Sequence, residues 1–265
     1  MPKTVSDLGR MQDVQAVFPD ASAWEEVRLV RNSPFSYDCQ GCCRCCQHKR
    51  IRVNPYEVAR LANGLGISTT DFLGRYSRNS GTELQVDGED RCVFLTGKGC
   101  GVHPDRPLVC RLYPLARHTD NQTGEYFSLL PPHPQTQGLI GQKATVRDYL
   151  SGQGAEPFIT VTDRYLSFVG KLAAFLLESE KKEWREKLRT ADPVSDMLPV
   201  SELLDMDLAL TRFALPAHPV EAMSLEDKTE AHLRLLEEQI QAIVVGDART
   251  TKHPSGGRHG KKRKG

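Results

Sequence analysis

The sequence predicts a mixed α+β protein, mainly helical, in which an irregular cysteine-rich module with short strands packs against a C-terminal helical region. Three observations predict it. All eight cysteines of the 265-residue chain fall between Cys39 and Cys110. Turn-forming residues, ten of the 21 glycines among them, fall in the same stretch, residues 37–135. Beyond it, residues 140–247 are poor in glycine after Gly170, and their apolar residues recur at helical spacing. The expected organisation is a lead-in over 1–36, a cysteine-cluster metal-binding module over 37–135, a helical region over 136–247 and a disordered basic tail over 248–265.

The elements follow in order. The lead-in carries one short helix around Ala23–Val30, ended by Asn32-Ser33-Pro34. Ile51-Arg52-Val53 alternates as a short strand does. Asn54-Pro55-Tyr56-Glu57 then supplies a side-chain cap, a proline at the first helical position and a glutamate three residues after the cap. That helix carries Val58, Leu61 and Ala62 inward and stops at Gly64 or Gly66. A second helix starts at Ser68-Thr69-Thr70-Asp71 and carries Phe72, Leu73 and Tyr76. Glu83–Val86 and Arg91–Leu95 read as strands around Asp87-Gly88. Asp105-Arg106-Pro107 opens a short helix through Cys110 that Pro114 ends. Three longer helical patterns complete the chain. Asp163–Lys187 has a stripe of Leu166, Val169, Leu172, Ala173, Leu176 and Leu177; Val200–Phe213 carries Leu203, Leu204, Leu208 and Leu210; and a helix capped at Ser224 runs through Val245, with Leu233, Leu236, Ile240 and Val244 inward.

Charge is near balance, 35 Lys and Arg against 34 Asp and Glu, and 39% of the residues are hydrophobic. Such a composition excludes wholesale disorder. No apolar leader opens the chain and no run approaches the length of a membrane span; the best, Phe168–Leu177, is short and carries Lys171. A cytoplasmic protein is expected, where thiols stay reduced and clustered cysteines are metal ligands or redox groups rather than disulfides. Residues 249–265 hold seven Lys and Arg and no acid, which leaves the body at a net charge of −6. An acidic body argues against a dedicated nucleic-acid binder, so the tail reads as solubilising. The expected partner is a protein or a small molecule, with no membrane.

The chemistry sits in the cysteines. Five of them occupy the eight residues Cys39-Gln40-Gly41-Cys42-Cys43-Arg44-Cys45-Cys46. The two-residue gaps Cys39/Cys42 and Cys42/Cys45 let neighbouring thiolates converge on one metal or cluster. Adjacent cysteines in extended chain point to opposite sides, so Cys45 and Cys46 can serve different sites. A zinc ribbon needs a second two-residue-gap pair, which Cys92, Cys100 and Cys110 do not form. The gaps of two and two fit an iron–sulfur run, although the ferredoxin continuation to Cys-Pro is missing; a fourth ligand then comes from Cys46 or the distal trio. Arg44, Lys49, Arg50 and Arg52 give residues 39–52 a charge of +4, and Arg106 and Arg111 flank Cys110. Guanidinium groups near thiolates stabilise the charged form and hydrogen-bond sulfur, so Arg106 and Arg111 are candidate cofactor-binding residues. The opposing reading of these basic residues is a solvated face.

These residues resemble the YkgJ-type CxxCxxCC cysteine-cluster family. The resemblance is carried by Cys39-x-x-Cys42-x-x-Cys45-Cys46, by Cys92-Val93-Phe94-Leu95, by Cys100-Gly101-Val102-His103 and by Arg106-Pro107-Leu108-Val109-Cys110-Arg111-Leu112-Tyr113-Pro114. It covers residues 35–118 and implies a zinc- or iron-chelating module with Cys39, Cys42, Cys45, Cys46, Cys92, Cys100 and Cys110 as metal ligands. Seven ligands exceed one tetrahedral site, which implies two centres, or one centre and reactive thiols. Two departures stand out: glycine is usual in the family where Cys43 stands, and tyrosine is frequent where His103 stands. His48, His118 and His133 are, like His103, packed or turn residues before they are ligands.

Three functions remain open on the sequence. The first is a chelator of zinc or iron, with an iron–sulfur cluster and oxidoreductase activity as its finer form. The second is a metal-dependent enzyme of protein lysine methyl transfer, since a flagellin lysine N-methylase is similar in its cysteine pattern. The third is a non-catalytic zinc-stapled interaction module. No dinucleotide fingerprint, P-loop, HExxH or nucleophile elbow occurs, and no catalytic residue is assigned.

Overall fold

The computed structural model describes residues 27–120, 124–131, 133, 135–178, 204–214 and 219–250. It is a mixed α+β fold of helices and small two-stranded antiparallel sheets. The basic tail beyond residue 250 and the segment 179–203 lie outside the described residues, as does most of the lead-in.

Helix α1, Pro55–Leu65, forms as its sequence dictates. The Asn54 side chain accepts from the Glu57 backbone N–H and the Glu57 carboxylate accepts from that of Asn54, at 3.0 and 2.9 Å. Two N–H groups that an α-helix leaves without partners are thereby satisfied. Gly66 ends the helix in the left-handed region, at φ 67°. α1 then faces three ways. Tyr56 enters the larger core with Phe35, Leu112, Phe127 and Phe158. Val58 and Leu61, both fully buried, enter a second core with Ile51, Phe72 and Phe94, each contributing about 2 kcal/mol. Ala59 meets Met206 and Leu210 in a third.

Around α1 the chain folds as follows. Strand β1, Pro34–Asp38, precedes the cysteine run. Helix α2, Thr69–Tyr76, is capped by Ser68. β2, Ser77–Arg78, pairs with β3, Glu83–Leu84, and β4, Leu95–Thr96, with β5, Gly99–Cys100. Helix α3, Leu108–Leu112, leads into a hairpin of β6, Leu115–Asp120, and β7, Gly124–Leu129. β8, Leu139–Thr145, returns to pair with β1. Helices α4, Val146–Gly152, and α5, Glu156–Glu178, follow. After Met206–Ala209, α6, comes the long helix α7, Leu225–Thr250. The β1–β8 pairing crosses both expected boundaries, and the larger core joins Phe35 to Leu233, Leu236 and Ile240.

Several expectations need correction. Leu29, assigned to a helix over 23–30, is extended and exchanges two 2.8 Å hydrogen bonds with Phe127 on the edge of β7; residues 23–26 lie outside the described residues. The strands expected over 83–86 and 91–95 shrink to short ladders and one Val86–Cys92 bridge. In α5 the expected leucine stripe is partly out of phase: Leu166 and Val169 are exposed, at 55% and 53%, whereas Leu172 packs against the larger core. The helix starts earlier, at Glu156, so Phe158 and Ile159 set the inward phase, and seven and ten residues after Phe158 stand Tyr165 and Phe168. Tyr165 also hydrogen-bonds buried His232 of α7, at 2.9 Å.

Candidate metal centre

The cysteine run leaves β1 as irregular chain and tightens into one 3₁₀ turn, Arg44–Cys46. Cys43 caps that turn with φ 57° and ψ 13°, in the left-handed region. A backbone there favours glycine, because a Cβ crowds its own carbonyl. The Cys43 Sγ donates to the Gly41 carbonyl, 3.3 Å away, and faces Gly99 of β5.

Backbone hydrogen bonds tie the run to the distal cysteines. The Cys92 N–H donates to the Cys46 carbonyl at 2.9 Å, and Gln47 bridges to Arg91. Cys100 lies on β5 and Cys110 on α3. Cys92, Cys100 and Cys110 all pack against the second core. Cys45, Cys46, Cys92, Cys100 and Cys110 therefore share one neighbourhood, although 65 positions separate Cys45 from Cys110. Cys39 is exposed and the other seven cysteines are partly buried, all with free thiols.

The thiols feel one another. Cys45 and Cys46 lie 4.0 Å apart, sulfur to sulfur. The Cys46 thiol holds the Cys45 sulfur in its charged form, and the Cys45 N–H, Lys49 and Arg106 add to this, lowering the Cys45 pKa to about 7. Cys46 is pushed far up by the same bond and by burial, so the pair gives up its first proton around neutrality and holds the second. Burial, with the Cys45 and Cys100 charges, raises Cys92 and Cys110. Cys42 goes the other way. Burial opposes its thiolate, yet the Arg44 and Gln137 N–H groups and the Thr136 hydroxyl outweigh burial and lower the pKa.

The two arginines expected as cofactor-binding residues are placed differently from each other. Arg106 donates to the His103 carbonyl and to Gln153, both at 2.7 Å, and its charge reaches Cys45. Arg111 is 6% exposed and belongs to the scaffold. Its guanidinium donates to the carbonyls of Pro104, Arg106 and Gln153 and stacks 4.1 Å from the Phe158 ring centre. Burial, with the nearby Arg106 and Arg60 charges, lowers its pKa to about 10.

Residues that the spacing did not single out complete the site. Tyr37 and Tyr113 meet edge to face, 6.0 Å apart, and burial, with the cysteine charges adding to it, raises both hydroxyl pKa values, Tyr113 to about 12. Thr136 lies 3.8 Å from the Cys42 sulfur. A signal for Tyr113 was present in the sequence, inside the Cys110-Arg111-Leu112-Tyr113-Pro114 motif; Thr136 had none. His48 and His133 stack at 6.1 Å, with His48 also beside Asp90.

Among the described residues no three His, Cys, Asp or Glu side chains close into a metal-holding group. The donor chemistry nonetheless fits a thiophilic metal. Zinc–sulfur bonds of about 2.3 Å place tetrahedral thiolates about 3.8 Å apart, close to the Cys45–Cys46 separation of 4.0 Å.

Residues 38–128, less than half of the chain, match the model of a family described as "CxxCxxCC: Putative zinc- or iron-chelating domain". No curated protein and no solved structure matches the chain.

Proposed function

We propose that this protein chelates zinc or iron through cysteine thiolates, with Cys42, Cys45, Cys46, Cys92, Cys100 and Cys110 as the ligand pool and Cys39 at its exposed edge. The observation that carries the reading is the Cys45–Cys46 pair, sulfurs 4.0 Å apart with the Cys45 pKa lowered to about 7, inside a neighbourhood of further thiols. A bound metal would supply Lewis acidity or, as iron, electron transfer. The chain's own residues present thiolates, shield them with Tyr37 and Tyr113, and set a positive charge, Arg106, near Cys45.

An iron–sulfur cluster with oxidoreductase activity is the finer form of this reading. It rests on the two-residue gaps of Cys39, Cys42 and Cys45 and on Arg106 as a charge partner. Eight free thiols suit the cytoplasm, where they stay reduced. Among the described residues no helix is long and apolar enough to cross a membrane.

Elemental analysis of anaerobically purified protein tests the proposal. Zinc or iron in stoichiometric amount is expected, and Cys42→Ser and Cys45→Ser each lose metal and soluble protein together, because binding and folding are coupled. Brown protein with acid-labile sulfide selects the cluster; colourless protein with zinc removes it. Metal-free wild-type protein of full stability overturns chelation altogether.

A further inference from the structure

A hollow of about 640 Å³ opens beside the cysteine run. Two stretches line it, residues 41–44 with Gln47 and residues 95–99, which carry the turn that joins β4 to β5; Arg91 completes the wall. Volumes of this order hold small-molecule ligands. The lining indicates their chemistry. Among the described residues Leu95 is its one large apolar member, so an apolar ligand would find little to bury against. The same lining holds three cations, Arg44, Arg91 and Lys98, and among the described residues no carboxylate.

The three cations are not equivalent. The Arg91 guanidinium is already engaged by Asp87, at 2.8 Å, and by Glu89, at 2.9 Å, so it brings donors rather than net charge. Arg44 and Lys98 have no carboxylate within ion-pair reach among the described residues. Arg44 instead donates to the Gln47 side-chain carbonyl, at 3.2 Å, which steadies its guanidinium. Lys98 stands on a turn braced by Thr96, whose hydroxyl donates to the Gly99 carbonyl at 2.8 Å and accepts the Lys98 N–H at 3.2 Å. Two positive charges, 54 positions apart in sequence, thus line one polar hollow in a body whose net charge is −6. Like charges around one hollow repel, and an anion between them replaces that repulsion with attraction.

We propose that this hollow binds a small anionic ligand carrying a carboxylate or phosphate group, held by Arg44 and Lys98 with Arg91 as a further donor. Cys42 and Cys43 line the same hollow, so the ligand lies against the edge of the thiol pool, where a substrate or co-ligand of a metal centre belongs. That purpose rests on the chelation reading; the binding itself rests on the hollow and its cations.

Cys43 supplies the readout, because it lines the hollow and stands outside the proposed ligand pool. The full chain, as purified, is alkylated at neutral pH with iodoacetate, an anion, or with iodoacetamide, its neutral counterpart, and modified Cys43 is quantified by peptide mass spectrometry. The thiolate fraction enters both rates alike. Their ratio, set against that for the neutral thiol N-acetylcysteine amide, therefore reads the pull of the hollow on an anion. The ratio is expected to exceed that of the free thiol and to fall about threefold or more in Arg44→Gln and in Lys98→Gln. Succinate and inorganic phosphate, each matched in ionic strength by a sodium chloride control, are expected to slow iodoacetate at Cys43 in the wild type and much less in Lys98→Gln. Whichever acts at the lower concentration identifies carboxylate or phosphate as the group recognised. Lys98 is exposed on its turn, so its variant keeps the test available should Arg44→Gln not fold. A wild-type ratio equal to that of the free thiol, or one unmoved by Lys98→Gln, overturns the proposal, and so does protection no greater than that given by chloride. Metal lost from Lys98→Gln with anion protection intact assigns the lysine to the thiolates and also overturns it. A wild type without metal ends the chelation reading, and the alkylation ratios then still decide the anion site.

Discussion

Glu57 on α1 accepts the backbone N–H of Leu108, the first residue of α3, at 2.7 Å through one oxygen, while its other oxygen closes the capping box of its own helix. One carboxylate therefore serves two helix starts, and the second of them carries Cys110 two residues on.

That carboxylate is buried, and burial outweighs both N–H donors and the Arg111 charge, raising its pKa to about 7. A raised acid pKa means that the folded state holds the proton more tightly than the unfolded chain. Stability is then greatest below the unfolded value, falls as pH rises from about 4.5 to about 7, and levels off above. The loss is on the order of 3 kcal/mol. Glu57→Gln should flatten this slope while lowering stability at acid pH through the imperfect cap. Urea midpoints measured between about pH 4 and 8 check it; an unchanged slope in the variant places the titration elsewhere.

Cys43→Gly should stabilise the protein by about 1 kcal/mol, since glycine takes the left-handed conformation at φ 57° without crowding. Metal content should stay at the wild-type level, and Cys43→Ser should lose less metal than Cys42→Ser. Equal losses in the two serine variants would show Cys43 to be a ligand.

In metal-free protein, iodoacetamide at neutral pH should modify Cys45 ahead of Cys46, Cys92 and Cys110. Its pKa near 7 leaves about half of it as thiolate, whereas the other three are raised. Arg106→Ala should slow the Cys45 reaction by removing a positive charge that favours the thiolate. Peptide mapping over a time course reads the order, and preferential labelling of Cys110 contradicts it.

Arg111→Met should cost about 3 kcal/mol, because three backbone carbonyls lose a charged donor in a buried position. Arg111→Lys should recover little of it, as an ammonium lacks the planar fork that reaches all three. Thermal melts of metal-free protein separate this from any effect on chelation.

Local signals in the sequence were strong where they satisfied local physics. Asn54, Pro55 and Glu57 gave α1 its start, and Ser68 and Ser224 gave two more caps, because capping is decided within four residues. The pairing of β1 with β8 and of Leu29 with Phe127 was not legible, since register between distant segments depends on the core that joins them. The phase of α5 is set by Phe158 and Ile159, which precede the stripe that begins after Asp163, so of its leucines Leu172 faces the core and Leu166 does not. At the site, the cysteine spacing identified the thiols. Thr136 was invisible, because a lone threonine in a loop carries no pattern, and the role of Arg111 was decided by carbonyls that only the folded turn brings within reach.

The pairing of Pro34 with Thr145 bears on the order of assembly. Every cysteine lies between these two positions, in a chain segment whose ends meet only when β1 and β8 join. Closing so long a loop is entropically costly, so the neck gains most from forming after the segment has contracted. Contacts such as Cys46 with Cys92 shorten it from within. Anything that draws the thiols together, metal included, accordingly lowers the entropic barrier to closing a junction that contains no cysteine itself.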